Sequence, residues 1–90
     1  MRASATTTLR TQLLERLALA WRSARPHYRS QLVLKIGSLF DRFLDERLSD
    51  PTFSSQIANG QNYVHEQRMA ELLLADYLWT CGFDLSSAPE

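Results

Sequence analysis

Cysteine is nearly missing from this 90-residue sequence, which contains only Cys81. A single cysteine excludes an intramolecular disulfide framework and is typical of a protein from a reducing compartment such as the cytoplasm. Cys81 falls on the apolar side of a helical pattern, just before Gly82. We therefore expect a buried thiol that packs in the core and does not react.

Glycine and long apolar runs are also scarce. The three glycines stand alone, whereas a loop that binds phosphate needs several of them close together. No run of about 18 apolar residues exists, so the sequence predicts no transmembrane helix. Polar threonines at 6–8 interrupt the apolar core that a secretory signal would need.

Groups that could bind a metal or carry out catalysis are few and scattered. His27, His65 and Cys81 are the only soft metal ligands, and no two of them are three or four residues apart. A zinc site is therefore not expected. Neighbouring carboxylates on a helix more often form a solvated face than a catalytic pair, and the sequence predicts no pocket around them. We expect no enzyme activity, no cofactor and no metal.

Charge is balanced overall but unevenly distributed. Up to Phe43 there are eight basic and two acidic residues, and from Leu44 onward there are two basic and eight acidic ones. The two halves could pack on each other, or on a partner subunit, with complementary fields. Alternatively, the basic half could dock on an acidic surface, such as a tubulin tail, or on a nucleic acid.

Apolar residues recur at helical spacing along the first half of the chain. This pattern predicts a first helix over about 9–23, with a threonine cap at 6–8 and with Trp21 as a core anchor near its end. Proline is tolerated in the first turn of a helix, so Pro26 predicts the start of a second helix, which continues to about residue 48.

A third apolar pattern begins near Asn62 and stops at Gly82, which can take the left-handed conformation that ends a helix. Between the second and third helices, residues 49–62 contain turn signals and read as a loop. We expect Phe53 and Ile57 to pin this loop onto the helices. The predicted fold is all-α, a helical hairpin or bundle.

The end of the third helix carries a more specific pattern. A Tyr77-Leu78 pair is followed by three residues and then by Gly82, by an aromatic residue, Phe83, and further on by a small hydroxyl residue, Ser86. This pattern resembles the LisH motif, a helix-turn-helix of which two copies pack into an antiparallel four-helix bundle. The resemblance implies a homodimer.

The second helix of this LisH-like motif would begin at Leu85, with Asp84 as its cap. Pro89 follows soon afterwards, where the family has a longer helix with a phenylalanine and a glutamate. We therefore expect either that the sequence is cut inside the motif or that its second helix is shortened.

Two stretches upstream resemble the TOF motif, named for the Tonneau, oral-facial-digital syndrome and FOP centrosomal proteins. They are LRTQLLERL, from Leu9 to Leu17, and YRSQLVLKI, from Tyr28 to Ile36. In those families a TOF motif precedes a LisH motif, with a variable loop between them, and this chain has both patterns in that order. The resemblance divides the chain into a flexible tail (1–8), a TOF-like helical region (9–48), a variable loop (49–62) and a LisH-like motif (63–90).

This resemblance implies a homodimerisation and targeting module of a centriole, basal-body or microtubule-cytoskeleton protein. Its partners would be a second copy and a centriolar or basal-body protein, and its location the cytoplasm, at the centrosome or the base of the cilium. In the related families the module precedes coiled coils or, in some flagellated protists, a tubulin-cofactor-C-type domain related to the retinitis pigmentosa protein.

We predict the surfaces for these two roles from the apolar and basic residues. The predicted dimer interface combines apolar residues of the third and second helices: Leu73, Leu74, Tyr77, Leu78, Leu32, Ile36, Phe40 and Phe43. The predicted targeting surface consists of arginines in the basic half: Arg10, Arg16, Arg25 and Arg29.

Two other classes of protein are considered. The first is a small helical module that binds nucleic acid through its basic half, although the arginines are not interleaved with the aromatic residues that stack on single strands. The second is a small helical enzyme or regulator unrelated to LisH. Neither class of protein explains why TOF-like stretches precede a LisH-like pattern in this chain.

Overall fold

The structure, a computed structural model, describes residues 5–85, and there the chain forms four α-helices and no strand. The predicted all-α fold is confirmed. The predicted second LisH helix, apart from its first residue, lies outside the described residues. The helices are α1 (Ala5–Ala20), α2 (Pro26–Asp45), α3 (Phe53–Asn59) and α4 (Asn62–Thr80).

The first helix is shifted towards the N-terminus relative to its prediction. It begins at Ala5, within the stretch that we expected to be a tail, and it ends at Ala20, just before Trp21. The threonines at 6–8 therefore lie in its first turn and do not precede it. Threonine is acceptable there, because the backbone N–H groups of a first turn have no partner inside the helix.

The second helix starts as predicted, with Pro26 in its first turn and Arg25 in extended conformation before it. The end of α2 differs from the prediction. Arg47 adopts a left-handed conformation with a φ of 59°, and the N–H groups of Arg47 and Leu48 donate to the carbonyls of Leu44 and Phe43 at 3.0 and 3.1 Å. This is a Schellman motif without the usual glycine. The sequence predicted a longer helix because no glycine marks the end.

The fourth helix ends in the same way, but with the expected glycine. Gly82 has a φ of 92°, and the N–H groups of Gly82 and Phe83 donate to the carbonyls of Trp79 and Leu78 at 3.0 Å each. The prediction of a left-handed Gly82 is confirmed.

The two left-handed positions provide a paired stability prediction. Nothing lies within 4 Å of a Cβ built on Gly82, so Gly82→Ala should add only backbone strain and lower the free energy of unfolding by about 1–2 kcal/mol. Arg47→Gly should instead raise it by about 1 kcal/mol, because it removes the strain that a side chain carries at this φ. Urea unfolding followed by circular dichroism measures both changes. Two changes of the same sign would contradict a left-handed conformation at both positions.

A short helix, α3, occupies the middle of the segment that we predicted to be a loop. Phe53 and Ile57, one helical turn apart, are both fully buried, which confirms that they pin this segment onto the other helices. A helix of this length is not stable alone, so α3 depends on burial against α1 and α4, and single-sequence patterns do not show such contacts.

Phe53 lies at the centre of the core. Its ring stacks on Phe43 with 4.6 Å between centroids and on Phe40 with 6.2 Å. The core also includes Leu13 and Leu17 of α1. Other buried apolar residues complete it: Ile36, Leu39, Ile57, Ala58, Leu72 and Ala75.

Arg68 fastens α4 to the α2–α3 connection. Its guanidinium, with 16% of the side chain exposed, pairs with Asp50 and Glu71 at 3.0 Å each and donates to the Gln56 side chain at 2.8 Å. Desolvation raises the pKa of Asp50, but hydrogen bonds from Arg68 and Thr52 outweigh it, so this pKa lies below its ordinary value. The network fixes the rotation of α4 about its axis.

Cys81 does not lie in the core. It is exposed and free, so the prediction of a buried thiol is wrong. Cys81 follows Tyr77 by one helical turn, and Tyr77 is itself 64% exposed. The apolar pattern that suggested burial belongs to an outward face of α4.

Candidate functional site

The most unusual surface of the described chain is an apolar face on α4. Leu73, Leu74 and Tyr77 are 48%, 58% and 64% exposed, and Phe83, just after the helix, is 60% exposed. We call these four residues the α4 face. Large apolar side chains that lie together in water mark an interaction site more often than single ones do.

The α4 face exists because α4 is apolar on two sides. Leu72 and Ala75 are 0% and 4% exposed and point into the core, while Leu73 and Leu74 point outward. A helix that is apolar all round is normally covered all round. In the described structure, only one side of the second half of α4 is covered.

An uncovered part of α2 continues this surface. Tyr28, Leu32, Leu39 and Phe43 form one stripe at spacings of four and seven residues. The last two are buried, whereas Tyr28 and Leu32 are 56% and 45% exposed. The second half of the stripe is therefore covered within the chain, where Phe43 stacks on Phe53 of α3, and the first half is open.

An ion pair shows how the two open parts relate. Lys35 Nζ lies 3.6 Å from the carboxylate of Asp76. Leu32 precedes Lys35 by about one turn on α2, and Leu73 precedes Asp76 by about one turn on α4. Leu32 and Leu73, which begins the α4 face, thus lie on the sides of their helices that the ion pair joins.

An apolar groove adjoins the α4 face. It has a volume of about 260 Å³ and is lined mainly by Phe43, Leu48, Leu74, Leu78 and Leu85, with Glu71 at its edge. Leu74 belongs to both the groove and the α4 face. A side chain from a second molecule could fill the groove and cover the face at the same time.

The structure divides the predicted interface residues into two groups. Leu32, Leu73, Leu74 and Tyr77 are exposed, and Leu78 is half-buried in the groove. The others lie inside the chain's own core: Ile36, Phe40 and Phe43. They are covered within the single chain, and of these three only Phe43 lines the groove.

Two apolar residues of this surface were not among the predicted ones. Phe83 was part of the LisH-like pattern, and Tyr28 continues the Leu32 stripe by one turn. Both signals were present in the sequence. The sequence does not show which residues of such a stripe are covered by another helix of the same chain.

The four predicted targeting arginines have different environments. Arg10 pairs with Asp41 at 2.8 Å, and Arg16 donates to the Ala58 carbonyl and the Asn62 side chain at 3.3 and 3.2 Å. Arg29 donates to two backbone carbonyls at the α1–α2 turn. The side chain of Arg25 is exposed and has no hydrogen-bond or ion-pair partner among the described residues.

Among residues 5–85 there is no cluster of three potential metal ligands. His65 is partly buried, and its Nδ1 lies 2.6 Å from the Ile57 carbonyl, to which a protonated Nδ1 donates. This contact joins the start of α4 to α3 and is structural. Over the same described range, no helix is both long enough and apolar enough to cross a membrane.

The structure thus defines a small all-helical protein with an open apolar surface on two helices. Searches among protein-family models, curated protein sequences and solved structures find no match to this chain.

Proposed function

We propose that this chain is a homodimerisation and targeting module of a centriole, basal-body or microtubule-cytoskeleton protein, of the TOF-LisH kind, without enzyme activity. The observation that carries the proposal is the α4 face. Two residues of the LisH-like pattern, Tyr77 and Phe83, lie uncovered on either side of the turn at Gly82, and a third, Leu78, lines the adjoining groove.

The size of the exposed side chains supports self-association. Complete burial of one leucine or phenylalanine side chain contributes about 1.5–3 kcal/mol. In a dimer with twofold symmetry the same surface serves both subunits, so each residue of the α4 face is buried twice. Leu32 and Tyr28 of α2 would extend the interface.

The charge of the α4 face also supports self-association. Its four residues are uncharged, and Asp76, the charged residue next to Tyr77, is paired with Lys35 within the chain. Two copies of the face can therefore meet without burying an unpaired charge, which would cost several kcal/mol.

Localisation tests the targeting half of the proposal. A fluorescently tagged chain, expressed in cells with centrioles, should coincide with a basal-body marker. Tyr77→Glu should become diffuse if targeting requires the dimer, whereas Tyr63→Glu, a similarly exposed tyrosine on the same helix, should remain in place. A diffuse wild-type chain would contradict the proposal.

A further inference from the structure

Three arginines lie together at the α1–α2 turn. Arg22 donates to the Leu19 carbonyl at 3.1 Å, and Arg29 reaches back to the carbonyls of Arg22 and Ala24 at 3.1 and 3.5 Å. Arg25 immediately precedes α2. We call Arg22, Arg25 and Arg29 the arginine cluster.

The arginine cluster has a structural role that uses only part of its hydrogen-bonding capacity. The carbonyls at the end of a helix carry a partial negative charge and attract cations, and Arg22 and Arg29 each use one N–H group on carbonyls near the end of α1. A guanidinium has five N–H donors, so most remain for another partner. Arg25 contacts no such carbonyl.

The described chain provides no carboxylate for this cluster. None lies within 4.0 Å of the three guanidinium groups, and the sequence has no acidic residue between Glu15 and Asp41. Five of the described carboxylates are already held in ion pairs elsewhere: Asp41, Glu46, Asp50, Glu71 and Asp76. Glu15, Asp45 and Glu66 are exposed and outside these pairs, but they lie on three different helices and form no acidic run that a second copy could offer to the cluster.

We propose that the arginine cluster is a docking surface for an acidic segment of a different protein. The proposal rests on the targeting role proposed above, for which it names the class of partner. Arginine binds carboxylates in a bidentate geometry.

The whole-chain charge favours a protein over a nucleic acid. Domains that bind nucleic acid commonly have a pI above about 9, whereas this chain has a pI near 6.7. The cluster is confined to one turn, and the second half of the chain is acidic. A short run of glutamates matches such a small basic surface better than an extended phosphate backbone does.

Fluorescence anisotropy with the full chain tests the proposal. The probe is a fluorescein-labelled peptide of alternating glutamate and serine, titrated at low and at near-physiological ionic strength. The wild type should bind, and more weakly at higher salt. Arg22→Gln/Arg25→Gln should raise the Kd by about tenfold. Arg25→Gln alone, at a side chain without described partners, should give a smaller increase and keep the fold.

Arg47→Gln is the matched control. Arg47 is exposed, has no side-chain partner among the described residues, and lies beyond the opposite end of α2, about 30 Å from Arg25. Arg47→Gln removes the same charge as Arg25→Gln and should change the Kd for the peptide by less than about twofold. An equal effect of Arg47→Gln and Arg25→Gln would overturn the proposal, because it would show binding by net charge alone.

Other outcomes separate this surface from its alternatives. Absence of peptide binding at low salt overturns the proposal. The proposal is also overturned if a single-stranded DNA of equal charge binds more tightly than the peptide and the same variants weaken that binding. The molar mass of each variant is measured in parallel. If the chain is a monomer that binds the peptide through the arginine cluster, the docking surface is supported and only the proposed dimer is contradicted. If the chain is a dimer that does not bind the peptide, only the docking surface is contradicted.

Discussion

Tyr77→Glu is expected to convert the proposed dimer into a folded monomer. Tyr77 is 64% exposed in the single chain, so a glutamate there remains hydrated and leaves the core unchanged. In the dimer the same glutamate would be an unpaired charge in an apolar interface, which costs several kcal/mol. The dimer Kd should therefore rise at least about 100-fold. Sedimentation equilibrium measures the Kd, and circular dichroism measures the helix content.

Tyr63→Glu is the control for this substitution. Tyr63 is 63% exposed and lies on α4 as well, about 20 Å from Tyr77 along the helix. The same change there should leave the dimer intact. If Tyr77→Glu remained a dimer, the interface would lie elsewhere, and if it unfolded, Tyr77 would contribute to the fold of the chain.

Phe53→Ala is expected to cause the largest loss of stability. Phe53 is fully buried and stacks on both Phe40 and Phe43, so truncation leaves a cavity where α2 and α3 meet. A phenylalanine truncated in a core typically lowers the free energy of unfolding by about 3–5 kcal/mol. A domain of this size has only about 5–13 kcal/mol in total. Urea unfolding should show a much lower midpoint.

Phe83→Ala makes the same chemical change at an exposed position. Phe83 is 60% exposed, so in the Tyr77→Glu background, where the dimer is absent, its truncation should cost less than about 1 kcal/mol. Similar losses for the two phenylalanines would contradict the position of Phe53 at the centre of the core.

The sequence predicted the start of α2 and the end of α4 well because a local signal marks each of them. Pro26 fits only the first turn of a helix, and Gly82 provides the left-handed residue that ends α4. The end of α2 has no such signal, since Arg47 takes the left-handed conformation in place of a glycine. Its strain is offset by the hydrogen bonds and packing around it, which a single sequence does not reveal.

The candidate site could be predicted only in part, for a related reason. The spacing of Leu73, Leu74 and Tyr77 identifies a helix that is apolar on several sides, but it does not show which side faces the core. The buried Leu72 and the contacts of Arg68 set the rotation of α4. That rotation leaves the α4 face and Cys81 outside.

The most direct test of self-association is the molar mass of the wild-type chain by multi-angle light scattering across a concentration series. One chain has a mass of 10.3 kDa. The proposed dimer predicts a mass of about 21 kDa, twice that value, falling towards that of a single chain only on dilution. A mass of 10.3 kDa at every concentration would contradict the proposal that the α4 face joins two copies.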